Sequence, residues 1–390
     1  MKITSVEALV SASPGEFVFA KVTTSNGLVG YGEAASDGAA RVRAASIERM
    51  GQAIIGKNPM DTDMIYDSLN RCFFFGWPPE ELMRCIGAID GALLDIKGKA
   101  LGTPVYNLLG GKYRDKIQLY CHIWIPQEER ERSAKVTPEM QAEGALRQVK
   151  QGFTVVKFDP FTTVFNQEVG AEMKGFVNIF QGMNYPRKLV PQALEMVRAV
   201  REAVGPEIGI CLDFHGRLDV ESAIRIGRLL EPFNLFFYEE PLPPGDDEEL
   251  AYVRRRVNIP ICCGERRYTL RDFRRLFELQ ATDMIMPDHS RNGGITQIKK
   301  VAILADTFRV PVAPHVVYSS PLNAVISAHN MASIPNFLIH ESMGPQRMQL
   351  YADLVKPQVS LEQGYLTVPD KPGLGVELVE ANLDKERLTS

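Results

Sequence analysis

Three carboxylates recur at one interval: Asp213, Glu239 and Glu265 stand 26 residues apart, each closing or following a short apolar run. Asp288, His315 and Glu341 continue the series at intervals of 23, 27 and 26 residues. An interval of this size is one strand, one helix and their two connections. Carboxylates at the ends of adjacent strands crowd together, and their repulsion raises their pKa values unless a cation lies between them. An all-oxygen set suits a hard ion, so Mg²⁺ is the expected cofactor and Asp213, Glu239 and Glu265 its expected ligands. A single acidic residue ending a strand is more often a helix cap or a salt-bridge partner; three at one spacing argue for a site. Glu240, beside Glu239, offers the same chemistry, and the even interval selects Glu239.

A second group can move protons. His315 and Asp288 end neighbouring apolar runs, which allows the carboxylate to fix the imidazole tautomer and raise its basicity. His215 lies two residues beyond Asp213, so the two side chains share a face if the strand continues. An imidazolium there can protonate a leaving group.

The elements that must position these residues begin near Ile117, where short apolar runs alternate with helical stretches, the pattern of βα units around a parallel sheet. Eight strands are expected: Gln118 to Ile123, Thr154 to Phe158, Ile208 to Leu212, Leu235 to Tyr238, Pro260 to Cys263, Asp283 to Met286, Pro311 to Ala313 and Phe337 to Ile339. Eight such units predict an α/β chain with a (β/α)₈-type barrel over residues 116–350, its active site on the C-terminal rim. An open doubly wound sheet is the competing arrangement, and no G-x-G-x-x-G fingerprint supports it. Residues 1–115 read as an α+β capping domain, with the Asn26-Gly27 turn after Phe17 to Thr24 and a helix from Met83 to Ala100 stopped by Gly102 and Pro104. The turn-rich residues 351–390 are expected to return to that domain. The connection Phe161 to Arg187 is long and aromatic, which reads as a lid or a subunit contact in a homo-oligomer.

Composition narrows the partners. With 45% hydrophobic and 24% charged residues and a net charge of −4, the 390-residue chain has an ordinary globular balance and no basic field for nucleic acid. No run reaches membrane-spanning length, Glu7 interrupts the one apolar stretch near the start, and six scattered cysteines form no C-x-x-C pair. A cytoplasmic location and a small-molecule substrate are expected.

The motifs Asp213-Phe214-His215-Gly216-Arg217, Tyr238-Glu239-Glu240-Pro241, Gly264-Glu265-Arg266 and Pro287-Asp288 followed by Gly293-Gly294-Ile295-Thr296 resemble the enolase superfamily, in its mandelate-racemase-like branch. Gly27 to Ala34 resembles the start of that branch's capping domain, Asp95 to Lys99 its domain junction and Lys371 to Gly375 its tail. Within the branch the chain is most similar to galactonate- and gluconate-type acid-sugar dehydratases, the latter through Lys157-Phe158-Asp159-Pro160-Phe161.

The resemblance implies abstraction of the proton next to a carboxylate, with Mg²⁺ stabilising the enediolate. His315 is then the base, oriented by Asp288, and His215 the acid that releases a β-hydroxyl as water. Relatives that racemise carry Lys-x-Lys on the second strand; here the pair is Lys157 and Asp159, which favours one-base dehydration to a 2-keto-3-deoxy acid. Lys157 reads as a contact to the substrate carboxylate or as a salt-bridge partner of a barrel carboxylate. Arg266 reads as a substrate contact or a brace for Glu265, and Glu341 as a hydrogen-bond partner of the enediolate. His122 and His289 are further rim candidates. Substrate choice is expected to lie in Ser13 to Glu16, Phe73 to Pro79 and the Phe161 to Arg187 connection. A hydroxy-acid racemase or epimerase is the in-family alternative, and a non-catalytic ligand-binding or assembly barrel the alternative of another class.

Overall fold

The computed structural model describes residues 1–11, 17–35, 38–73, 75–76, 78–133, 135–168, 182–316 and 319–383. The chain opens with a three-stranded antiparallel sheet, β1 (Ile3–Ser11), β2 (Phe17–Thr24) and β3 (Val29–Ala34), in that order. Val18, Ala20 and Val22 alternate along β2 into one core, packed by helices α1 (Ala40–Gln52), α2 (Thr62–Phe73) and α3 (Pro79–Leu101). Gly27 takes φ +82° in the β2–β3 turn, where its N–H donates to Thr24 O at 2.9 Å.

Helix α3 begins four residues earlier than the hydrophobic periodicity suggests. Pro79 starts it, and Glu80 and Glu81 in the first turn complement the helix dipole. Sheet and helix meet closely because β3 carries Gly30 and Gly32. A Cβ at Gly30 would lie 2.1 Å from Ala92 O, and one at Gly32 2.0 Å from Ala88 O.

The second body is a ring of parallel strands: β4 (Lys116–His122), β5 (Val155–Phe158), β6 (Gly209–Asp213), β7 (Phe237–Glu239), β8 (Ile261–Cys263) and β9 (Met284–Ile285). The ring continues through single bridges, Ile285 to Val312 and Val312 to Phe337, and closes where β10 (His340–Ser342) pairs with β4. It is a capped α/β barrel. The eighth strand runs past the apolar residues that announce it: Glu341 lies inside β10 rather than after it.

The tail serves both bodies. Tyr365–Thr367 pairs antiparallel with the start of β4, whereas Leu374, Val376, Leu378 and Leu383 pack with Phe17, Phe19 and Leu94. Two buried carboxylates of the first body dock on barrel helices. Asp90 accepts the Thr296 N–H at 2.9 Å in the first turn of Gly294–Thr307, and Glu33 accepts the Ser320 N–H at 2.7 Å at the start of Pro321–Ala332.

The connection after β5, read from the sequence as a lid or a subunit contact, is helical at its start. The helix is Pro160–Glu168, whose Phe161 and Phe165 are buried; Tyr185 Oη donates to Phe161 O at 2.8 Å. Phe176 and Phe180 lie outside the described residues, as do Ser13 to Glu16, Phe74 and Trp77. Phe73 ends α2, and Phe75 is 99% exposed. All six cysteines are free, five of them buried. Among the described residues no helix is long and apolar enough to cross a membrane.

Candidate active site

Strand register aims the polar residues. The barrel's inner core is formed by Tyr120, Val155, Cys211, Phe237, Met286, Ala313 and Ile339, among others. Two positions further along each of these segments stand His122, Lys157, Asp213, Glu239, Asp288, His315 and Glu341. Side chains on a strand alternate, so His122, Lys157, Asp213, Glu239 and Glu341 continue the inward face, and Asp288 and His315, beyond their strand segments, are buried at the same rim. Asp213 and Glu239 are direct partners in the β6–β7 register. Glu265 comes three residues after the inward Cys262, and Gly264 at φ +136° absorbs the extra residue. Glu240, at φ +39°, accepts from Gly264 N at 2.8 Å and from the Arg266 guanidinium at 2.7 Å.

At the centre lies Lys157, with no exposed surface. Its Nζ is 2.8 Å from Glu239, 2.5 Å from Glu341 and 3.4 Å from Asp213. Burial pushes an ammonium pKa down, but Glu239 and Glu341 outweigh it and hold Lys157 well above its ordinary value. The salt-bridge alternative for Lys157 is therefore the geometry found. Glu239 is pushed well up by burial and by the neighbouring Asp213, despite Lys157.

His315 stands between carboxylates. Its Nδ1 is 2.6 Å from Asp288 Oδ2, its Nε2 is 2.8 Å from Glu265 Oε2, and Glu341 Oε2 lies 3.7 Å from Nε2. Burial opposes the charged ring; Glu265 and Glu341 outweigh it and raise the pKa to about 10. Burial likewise opposes ionised Glu265 and Asp288, yet His315 and Arg291 bring both below the ordinary carboxylate range. Ser290 fixes Asp288 from behind, donating its N–H at 2.8 Å and its hydroxyl at 2.6 Å to Oδ1.

His215 reaches the rim by a different route from the continuing strand. β6 ends at Asp213, and His215 and Gly216 turn back with φ of +49° and +69°. Glycine suits position 216, where φ is left-handed and a Cβ would lie 2.4 Å from the Arg266 guanidinium and displace it. The turn brings His215 Nε2 to 3.2 Å from Asp213 Oδ2 and Nδ1 to 3.0 Å from Asp159 Oδ2. Asp159 is the contact that the sequence left without a role. Arg266 also donates to His215 O at 3.1 Å and lies 3.6 Å from Glu265, so it braces the turn and two carboxylates.

His122 Nε2 meets Glu341 Oε1 at 2.7 Å on the rim. His289 is buried, with neither ring nitrogen hydrogen-bonded among the described residues, and burial lowers its pKa to about 3.

The donor set of Asp213, Glu239 and Glu265 is carboxylate oxygen throughout, and the crowding that drives Glu239 upward is the kind a hard cation relieves. Among the described residues no group of three or more His, Cys, Asp or Glu is arranged as a metal cage; Lys157 sits against Asp213 and Glu239, and Glu265 turns to His315 and Arg291. In chemical type the three carboxylates fit Mg²⁺.

Fold and site define a class, and comparison with known proteins agrees. Residues 139–382 match the enolase C-terminal domain-like family, and residues 4–110 match the mandelate racemase / muconate lactonizing enzyme N-terminal domain. The chain belongs to the enolase superfamily. Among its relatives it is similar to a D-xylonate dehydratase of Haloferax volcanii, 33% identical over 98% of this chain and 89% of that one. It is also similar to a D-galactonate dehydratase of Pectobacterium atrosepticum, 32% identical over 97% and 93% of the two chains. A D-gluconate dehydratase of Thermoproteus tenax is 31% identical over 95% of this chain and 69% of that one. The crystal structure of an enolase-superfamily member from Salmonella Typhimurium superposes with a TM-score of 0.89 at 31% identity, covering 98% of both chains.

Proposed function

We propose that the chain is a Mg²⁺-dependent hydro-lyase that dehydrates a sugar acid, an aldonate or aldarate, to a 2-keto-3-deoxy acid. The observation that carries this reading is that two histidines bracket the row of rim carboxylates: His215 Nε2 against Asp213 at one end and His315 Nε2 against Glu265 at the other. The three named relatives, all sugar-acid dehydratases, support the substrate class.

Asp213, Glu239 and Glu265 would hold the ion. When bound, it supplies positive charge that offsets the negative charge developing on the substrate carboxylate as the α-proton leaves. His315 accepts that proton at Nε2 while Asp288 keeps Nδ1. Glu265 is the strongest of the upward influences that leave His315 at about 10, so the basic form of Nε2 depends on that carboxylate being engaged elsewhere. The electron pair of the broken C–H bond forms an enediolate and then expels the β-hydroxyl. His215 protonates that hydroxyl from Nε2, water leaves, and the enol tautomerises to the 2-keto acid. Lys157 supports Glu239, Asp213 and Glu341 from beneath, Arg266 braces the His215 turn, and Glu341 faces His315. Racemisation would call on a second base at position 159, where an aspartate is already held by His215 and Arg217.

The test is a screen of mono- and diacid sugars with purified protein and Mg²⁺, assayed for 2-keto-3-deoxy products. Product from at least one acid supports the reading. Racemised or epimerised substrate without product contradicts it.

A further inference from the structure

The residue that replaces the second lysine of the Lys-x-Lys pattern is built into the other histidine. Asp159 follows β5, and its two oxygens have separate partners. Oδ1 accepts the Thr162 N–H at 2.9 Å, the duty of a residue preceding a helix. Oδ2 faces His215 Nδ1 at 3.0 Å and takes a hydrogen bond from Arg217 at 2.7 Å. Arg217 is held in turn by Thr162 Oγ1 at 2.6 Å and lies 3.0 Å from the same Nδ1. Burial opposes ionised Asp159, but His215 and Arg217 outweigh it and lower its pKa.

An imidazole held at one nitrogen can still pivot; one held at both cannot. His215 has Asp159, just beyond β5, at Nδ1 and Asp213, the end of β6, at Nε2. A flipped ring would set carbon against both carboxylates and lose both contacts. We propose that Asp159 is a positioning residue that fixes the rotation of the His215 ring and keeps Nε2 turned toward the carboxylate rim. This rests on the reading of His215 as the acid of the dehydration. It gives the site two Asp–His pairs with divided duties: Asp288 sets the ring that takes the α-proton, and Asp159 sets the ring that releases water.

The proposal separates two steps that a merely structural Asp159 would lose together. Wild type, Asp159→Ala and Asp159→Asn are compared with D-xylonate, D-galactonate and D-gluconate in D₂O. Elimination is followed as 2-keto-3-deoxy product and α-proton exchange as deuterium in recovered substrate. A misplaced catalytic group costs on the order of 10²-fold, so Asp159→Ala should lose that much kcat for elimination while KM and α-exchange hold. Asp159→Asn, which keeps an acceptor oxygen, should recover part of the loss. An unchanged kcat in Asp159→Ala, or a parallel fall of exchange and elimination in both variants, overturns it.

Nitrogen-15 NMR of the histidine rings needs no turnover, with His215→Asn identifying the signal. Asp159→Ala should change the protonation pattern of the His215 nitrogens, and an unaltered pattern overturns the proposal. If wild type dehydrates no acid of the full mono- and diacid screen while the ring signal still depends on Asp159, the functional reading fails and the positioning stands.

Discussion

His315 Nδ1 lies 2.6 Å from Asp288 Oδ2, and this pair, drawn from two neighbouring segments of the barrel, occupies one of the two ring nitrogens. With Nδ1 committed, only Nε2 faces the rim carboxylates. A general base contributes about 10²- to 10⁴-fold, so His315→Asn should lose turnover on that scale or beyond. Steady-state assay of product, with α-exchange in D₂O, checks it; near-normal activity would remove His315 from the mechanism.

Magnesium should bind through Asp213, Glu239 and Glu265. Calorimetry on wild type should show binding of Mg²⁺, and Asp213→Asn or Glu239→Gln should abolish it. Chelation with EDTA should stop turnover and added Mg²⁺ restore it. Full activity in EDTA would count against the cofactor.

Lys157 should matter to the fold as well as the site. Removing one partner of a buried charge group leaves the others uncompensated, at a cost of about 3–5 kcal/mol. Lys157→Met should therefore lower the urea midpoint of the metal-free protein without a change in slope. An unaltered midpoint would mean that the three carboxylates do not need the ammonium.

Glu33 gives stability a pH dependence of defined sign. Burial raises its pKa from 4.5 to about 7, against the hydrogen bonds from Ser320. The folded state then holds a proton that the unfolded state has released, so this group's contribution is present below about pH 4.5 and is lost as pH rises through about 7. A shift of this size corresponds to on the order of 3 kcal/mol, and Glu33→Gln should flatten that part of the profile. Denaturation midpoints of the two proteins from pH 4 to 8 make the comparison; parallel profiles would clear Glu33 of the effect.

Much of the site was legible because one βα unit recurs at a near-constant interval. Asp213, Glu239, Glu265, Asp288, His315 and Glu341 each follow an apolar run, 23 to 27 residues apart, and that interval groups the carboxylates. The backbone routes by which some of the named residues reach the rim were not legible, for local reasons. Glu265 is out of phase with Cys262 until Gly264 takes a backbone conformation no pattern displays. His215 shares a side with Asp213 through a left-handed turn, not through a longer strand. Glu341 lies in β10 because buried polar residues with partners extend a strand past its apolar run. Lys157 and Asp159 differ most: their types show that a second lysine is missing, but only tertiary contact reveals one as the counterion of three carboxylates and the other as the partner of His215. The helix from Pro160 was hidden inside an aromatic stretch that reads as a loop by length.

The division of labour between the two histidines is the central claim, and one measurement reaches it most directly. His215→Asn is incubated in D₂O with Mg²⁺ and an acid that wild type dehydrates, and recovered substrate is analysed for deuterium at the α-carbon. The account predicts continued exchange, driven by His315, with 2-keto-3-deoxy product lost. Loss of exchange together with product, or dehydration at the wild-type rate, would contradict it.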